Sequence, residues 1–172
     1  MKIGITGHTS GIGKAISDKL LDLGHEVRGF SRSNGFDISD PMPIVEASGD
    51  CDVFINNAHS GYHQTTLLYR LYERWKRREG LILSVGSYGA ENLSEAYEYG
   101  TFKAALEHAS KQLDFPGAKC RVGLVRLGYV DTPAVKNRML RKIPCGWVAD
   151  AVVWMIDQPA SVFVRDITAL PR

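Results

Sequence analysis

The sequence is poor in the features that mark several functional classes. Its three cysteines, Cys51, Cys120 and Cys145, stand far apart, and no two form a Cys-x-x-Cys pair. An odd, scattered count argues against a disulfide framework or a zinc site; it fits three small buried hydrophobes in a reducing cytoplasm. No stretch approaches the roughly 18 consecutive apolar residues of a membrane span, so no membrane partner is expected. The opening MKIGITGHTSG sets glycines where an export signal carries its apolar run, and no such signal is expected. A net charge of +2 is too small to argue for nucleic acid. The one dense basic run, Lys76-Arg77-Arg78 beside Arg70 and Arg74, reads as a solvated helix face.

What the chain does have is regular alternation. Its 172 residues suffice for one domain with a continuous core. Strands are expected at Lys2 to Thr6, Glu26 to Phe30, Asp52 to Asn56, Leu81 to Val85 and Cys120 to Leu127, with a possible edge strand at Val162 to Ile167. Helices are expected at Gly11 to Leu23, near Thr65 to Arg78, at Ser94 to Leu113 and at Trp147 to Ile156, with a short one from Pro41 or Pro43 to Ser48. Ser31 to Asp40 is too polar and glycine-punctuated for a full helix. In the helix near Thr65, Leu67, Leu68, Leu71, Tyr72 and Trp75 share one stripe, with the arginines elsewhere. Apolar strands separated by helices imply a parallel α/β sheet, doubly wound and Rossmann-like, with helices on both faces, because parallel neighbours need crossover connections. Residues 1–172 read as a single dinucleotide-binding and catalytic domain, with a short substrate lid at about 133–146.

The segment Thr6-Gly7-His8-Thr9-Ser10-Gly11-Ile12-Gly13 follows the first strand and opens the first helix. Glycines there let the backbone turn sharply and let a pyrophosphate approach the helix N-terminus, where unpaired N–H groups and the helix dipole favour anions. It is not a phosphate loop of the Walker type: Gly13-Lys14 is followed by Ala15, so no hydroxyl is placed for magnesium, and His8 stands where that motif needs a glycine. No metal ligand set is expected.

The spacing TGxxxGxG at residues 6–13 resembles the short-chain dehydrogenase/reductase family. So do Asn56-Asn57-Ala58, the strand Ile82 to Ser87, the YxxxK of Tyr99 to Lys103, and Gly128-Tyr129-Val130-Asp131-Thr132. The resemblance runs in order from residue 1 to about 167. It implies an oxidoreductase moving hydride between a nicotinamide and a carbonyl or alcohol carbon of a small molecule. Ser87, Tyr99 and Lys103 would be catalytic. Tyr99 would act as acid/base, Ser87 would donate to the substrate oxygen, and Lys103 would also hold the nicotinamide ribose. Four residues apart on a helix, Tyr99 and Lys103 face one way, and an ammonium there should lower the phenol pKa from its usual ~10.

Cofactor contacts are expected from Gly7, Thr9, Ser10, Gly11, Ile12 and Gly13, from Asn57 and Ala58, and from Gly128, Val130 and Thr132. Asp37 and Ile38 are expected at the adenine. Strand two ends in Phe30-Ser31-Arg32 with no acid before Asp37, so Ser31 and Arg32 favour the 2′-phosphate of NADP(H) over NAD(H).

The chain departs from the pattern in places. It is unusually short, the usual second helix between strands two and four is gone, and the lid is slight. No asparagine lies between Asn57 and Ser87 to serve a proton-relay water. His63 and Gln64 lie near that place, but a surface role at a helix start is the expectation for them. His59 replaces the last glycine of the family's NNAG, and Leu127 replaces the proline before Gly128. Ser84 is expected to pack or hydrogen-bond within its strand. The alternative to an enzyme is an NADP(H)-binding sensor or scaffold with little or no turnover. The family commonly pairs through two helices, one of them here rich in Leu, Tyr and Trp, so a homodimer or homotetramer is expected.

Overall fold

The computed structural model of the chain describes residues 1–91 and 97–172. Among these residues six parallel strands form one sheet: β1 (Lys2–Thr6), β2 (Glu26–Phe30), β3 (Val53–Asn56), β4 (Gly80–Ser87), β5 (Cys120–Leu127) and β6 (Asp166–Ala169). Their order across the sheet is β2-β1-β3-β4-β5-β6. Five α-helices connect them: α1 (Gly11–Asp22), α2 (Met42–Ala47), α3 (His63–Trp75), α4 (Tyr97–Leu113) and α5 (Cys145–Ile156). This is the expected doubly wound α/β sheet in a single domain.

Strand alternation divides the core between the two faces. Ile3, Ile5, Val53, Ile55, Leu83 and Val85 point to the face covered by α1 and α5, where they meet Ile16, Leu20, Val148 and Val152. Phe54 and Ile82 point to the other face and join α2, α3 and α4 through Ile44, Leu67, Leu71, Trp75 and Leu106. Phe54 is the pivot of that layer, stacked on Phe30 with ring centroids 5.8 Å apart and edge-on to Trp75 at 6.3 Å.

Several boundaries differ from the expectations. The edge strand lies at Asp166–Ala169 instead of Val162 to Ile167, because pairing begins only where the chain comes alongside Leu124. Helix α3 ends at Trp75, and Arg78 folds back with its guanidinium carbon 3.9 Å from the Trp75 ring and Nη2 donating to the Cys51 carbonyl. Lys76 and Arg77 are exposed, as a solvated run should be. For the helix expected from Ser94, residues 94–96 lie outside the described residues, which take it up at Tyr97. The stripe Leu67, Leu68, Leu71, Tyr72 and Trp75 is buried within the chain's own core, while Tyr69 of the same helix is exposed. Cys51 and Cys120 are buried free thiols and Cys145 is half-buried. No helix among the described residues is long and apolar enough to cross a membrane.

Truncating the pivot should be costly, since a buried phenyl lost from a close-packed layer leaves a cavity that the strands cannot close. Phe54→Ala is expected to lower folding stability by about 3–5 kcal/mol in urea unfolding.

Candidate active site

The chain order reverses between β1 and β3, and a crevice opens there at the carboxyl ends of the strands, where open α/β sheets bind ligands. The turn after β1 needs its glycines. Gly7 and Gly11 adopt φ of +70° and +53°, and a Cβ on Gly13 would strike the Gly7 carbonyl oxygen and the Asn57 amide. Ser10 is the N-cap of α1, but its hydroxyl makes no capping bond, so the first amides of the helix are left to an incoming anion. Ile12 turns its side chain into the core and offers only its backbone. Asn57 lies beneath the turn, its Nδ2 donating to the Thr6 carbonyl at 2.9 Å.

A polar cleft of about 440 Å³ runs from this turn to the end of β2. Gly7, Thr9 and Ser10 form one wall and Ala58, His59 and Ser60 another. At the far end stand Ser31, Arg32, Asp37 and Ile38, together with Phe36. A 3-10 turn at Arg32–Asn34 presents the exposed Arg32 side chain there. The Ser31 hydroxyl is shared with Ser33 at 2.8 Å and Asn34 at 3.2 Å. The Asp37 carboxylate accepts from the Ser39 amide at 2.9 Å, and this bond chiefly holds its pKa below the usual value. Asp37 thus orders its own loop while lining the cleft. A separate recess of about 290 Å³ between Trp147, Trp154 and Ile167 has an apolar lining. Its one acid, Asp150, is paired with Lys19. The glycine turn and the basic end make the polar cleft the candidate site.

Ser87, Tyr99 and Lys103 come together at the end of β4. The Ser87 hydroxyl caps the turn that follows, accepting from Gly89 N at 3.1 Å, and shares that turn with Tyr99: a Cβ on Gly89 would lie 3.3 Å from Ser87 Oγ and 3.7 Å from the Tyr99 ring. A Cβ on Gly100 would press within 2.8 Å of the Gly89 carbonyl, so the start of α4 rests directly on that turn. Lys103 is buried one helical turn beyond Tyr99, its Nζ 5.7 Å from the phenol ring centre. It donates to Gln64 Oε1 at 2.7 Å and to the Val85 carbonyl at 2.9 Å.

Two expectations are overturned here. Gln64 is no surface residue: it is 1% exposed and is the direct partner of the lysine. The signal was present, since residue 64 continues the apolar stripe of Leu67, Leu68 and Leu71 at helical spacing. Nor does Lys103 lower the Tyr99 pKa. Burial pulls the amine down to about 7, so it is already neutral where a phenol ionises, and burial raises Tyr99 above its usual value.

His59 stands edge-on to Tyr99 with ring centres 4.9 Å apart and lines the cleft beside it. Burial, and after it the charge of Lys103, lowers its imidazole to about 4. Ser84 is buried and accepts from Asn56 Nδ2 at 3.5 Å, a bond within the strand layer.

The segment after β5 closes the other side. Thr132 packs over the glycine turn, where a Cβ on Gly11 would lie 3.2 Å from its methyl. Gly128 backs onto Leu170 and Pro171, and Val130 is buried and bridged to Ile143. Residues 136–141 that follow are exposed.

No family model matches the sequence. An uncharacterized oxidoreductase of Staphylococcus epidermidis is 25% identical over 220 aligned positions, covering 97% of this chain and 95% of the relative. The alignment exceeds the length of this chain, so the difference falls in insertions of the relative. A short-chain dehydrogenase from Burkholderia cenocepacia in complex with NADP superposes with a TM-score of 0.83 at 21% identity, over 97% of this chain and 86% of that one. A 3-ketoacyl-(acyl-carrier-protein) reductase from Brucella melitensis complexed with NADH gives 0.84 at 20%, over 98% and 96%. A 3-alpha-hydroxysteroid dehydrogenase from Pseudomonas, complexed with NADH, gives 0.81 at 22%, over 99% and 94%. From its first strand to its last, this chain has the fold of the short-chain dehydrogenases/reductases and resembles that family.

Proposed function

We propose that the chain is an NADP(H)-dependent oxidoreductase that interconverts a carbonyl and an alcohol on a small molecule. The observation carrying this reading is the meeting of Ser87 and Tyr99 at the Gly89 turn, beside a cleft that runs from an uncapped helix N-terminus to an exposed arginine. The cleft fits a dinucleotide phosphate in its donors: the α1 amides suit a pyrophosphate, Arg32 a 2′-phosphate, and Ile38 with Phe36 an adenine face. Structural neighbours solved with NADP or NADH support a nicotinamide dinucleotide in this cleft, and the NADP complex the 2′-phosphate. Gly11, Gly13, Asn57, Gly128, Val130 and Thr132 complete the cofactor contacts in this reading, with residues 133–146 as a short lid.

When bound, the dinucleotide supplies or takes up the hydride. In the reductive direction the substrate oxygen becomes basic as its carbon is reduced. Ser87 donates a hydrogen bond to that oxygen and Tyr99 gives it a proton. With its pKa raised, the Tyr99 phenol is protonated at neutral pH, the form from which reduction draws its proton, and is a weaker acid than a free tyrosine. Free buried thiols at Cys51 and Cys120 agree with a reducing, cytoplasmic setting. A sensor without turnover is the competing reading, and the similarity to oxidoreductases does not favour it.

Three outcomes are expected. Tyr99→Phe should cut NADPH oxidation with a panel of reactive carbonyls by about 10²- to 10⁴-fold while NADPH binding, followed by fluorescence, persists. Equal rates in the two proteins would favour the sensor. Arg32→Ala should reduce the preference for NADPH over NADH in kcat/KM by about 10- to 100-fold, the worth of a charge-assisted bond. Alcohol oxidation needs the phenolate and should climb with pH by about tenfold per unit across neutrality, whereas the loss of reduction assigned to Tyr99 should come only above pH ~10. Rate profiles in both directions check the sign.

A further inference from the structure

Lys103 is a buried amine whose nearest partners are all uncharged. Its Nζ, the Gln64 side chain and the Val85 carbonyl close a triangle: Nζ donates to Gln64 Oε1 at 2.7 Å and to Val85 O at 2.9 Å, while Gln64 Nε2 donates to the same Val85 O at 3.2 Å. Gln64 Nε2 also donates to the Asn56 carbonyl at 2.7 Å, and Asn56 Nδ2 returns a bond to the Gln64 carbonyl at 2.9 Å. The amide orientation is therefore fixed. A flipped Gln64 would set NH₂ against the amine and lose both carbonyl acceptors.

We propose that Gln64 is a positioning residue for Lys103, fixing the amine with the Val85 carbonyl so that one N–H is left for the ribose hydroxyls of the cofactor. The inference rests on the oxidoreductase reading of this site. It assigns to a side chain of α3 the task of holding the lysine directly. An ammonium has three donors; the triangle commits two of them and sets the direction of the third.

The electrostatic surroundings of the amine follow from its neighbours. On α4, Glu107 lies one turn beyond Lys103, but its carboxylate is engaged by Arg126 of β5 through two bonds of 2.8 Å. Tyr99 lies one turn before it on the same helix. From the loop after β3 comes His59, which is neutral above about pH 4. β4 contributes the Val85 carbonyl and the Ser87 hydroxyl, and α3 contributes only the Gln64 amide. With neutral acceptors in hydrogen-bond range and burial dominating, the amine titrates near neutrality. A carboxylate in place of the Gln64 amide reverses that balance at almost unchanged shape.

The test uses cofactor-free protein carrying ¹³C-labelled lysine, with the Lys103 ε-carbon resonance assigned by its loss in Lys103→Met. In the wild type its NMR titration should have a midpoint near 7. Gln64→Glu should move the midpoint up by about two units or more, and Gln64→Met, which fills the space without accepting, should move it down and weaken NADPH binding about tenfold. A midpoint within about 0.3 unit of the wild type in either folded variant overturns the proposal, because a merely structural glutamine leaves the lysine titration where it was. Since no turnover is involved, the readout is separate from the functional reading. Shifts as expected with no carbonyl reduced would sink the enzyme and keep the clamp.

Discussion

The site depends on a suture between the two central strands. The Thr6 hydroxyl accepts from the backbone amides of Asn57 and Ala58 at 3.0 Å each, and the Asn57 side chain returns a bond to the Thr6 carbonyl. These bonds bridge β1 and β3 just where their ladder ends and the chain order reverses. Without them the strand ends would splay, and the glycine turn that Asn57 supports from below would lose its floor. The crevice exists because the crossovers diverge there, and it has a defined width because the suture limits their divergence.

Around that point the chain is economical. One short helix, α2, carries it from the sheet edge at β2 back to the centre at β3, with Ile44 and Val45 as its buried anchors. The Arg28 side chain secures this stretch from the strand side, donating to the Ala47 carbonyl and to Asp50 at 2.7 Å. At the other edge, Arg126 of β5 reaches both Glu107 on α4 and Thr168 on β6, so a largely buried ion pair ties helix to sheet. Because Arg126 satisfies Glu107, that carboxylate does not bond Lys103, and the lysine depends on Gln64 and Val85 instead.

Polarity in the site is arranged by depth. Arg32 is exposed at one end of the cleft, where a charged ligand group meets it without either being stripped of water in advance. Lys103 and Gln64 are buried beneath Tyr99 against Val85, where each hydrogen bond counts for more and each unmet donor costs more. Tyr99 stands between these regimes, 39% exposed yet held by Ser87, His59 and the turn at Gly89. Its phenol is raised because burial outweighs the lowering influence of the nearby Ser87 hydroxyl.

The sequence by itself determined the architecture, the order of the strands along the chain, the glycine turn, and the places of Ser87 at a strand end and Tyr99 on the helix after it. Those features are local: apolar runs of period two, helical stripes and glycines at fixed offsets are written in consecutive residues. The basic end of the cleft was legible for the same reason, since Arg32 follows β2 directly. What only the tertiary structure decided was the partnership of groups far apart in the chain. Helical spacing put Gln64 on the buried stripe of α3, but nothing in the residues around it named the lysine it would meet. Its role came from α3 and α4 packing side by side, which brought residues 39 positions apart to 2.7 Å. The proton affinities of Lys103 and Tyr99 were likewise set by what surrounds them, because desolvation depends on depth in the fold and not on the residues before and after.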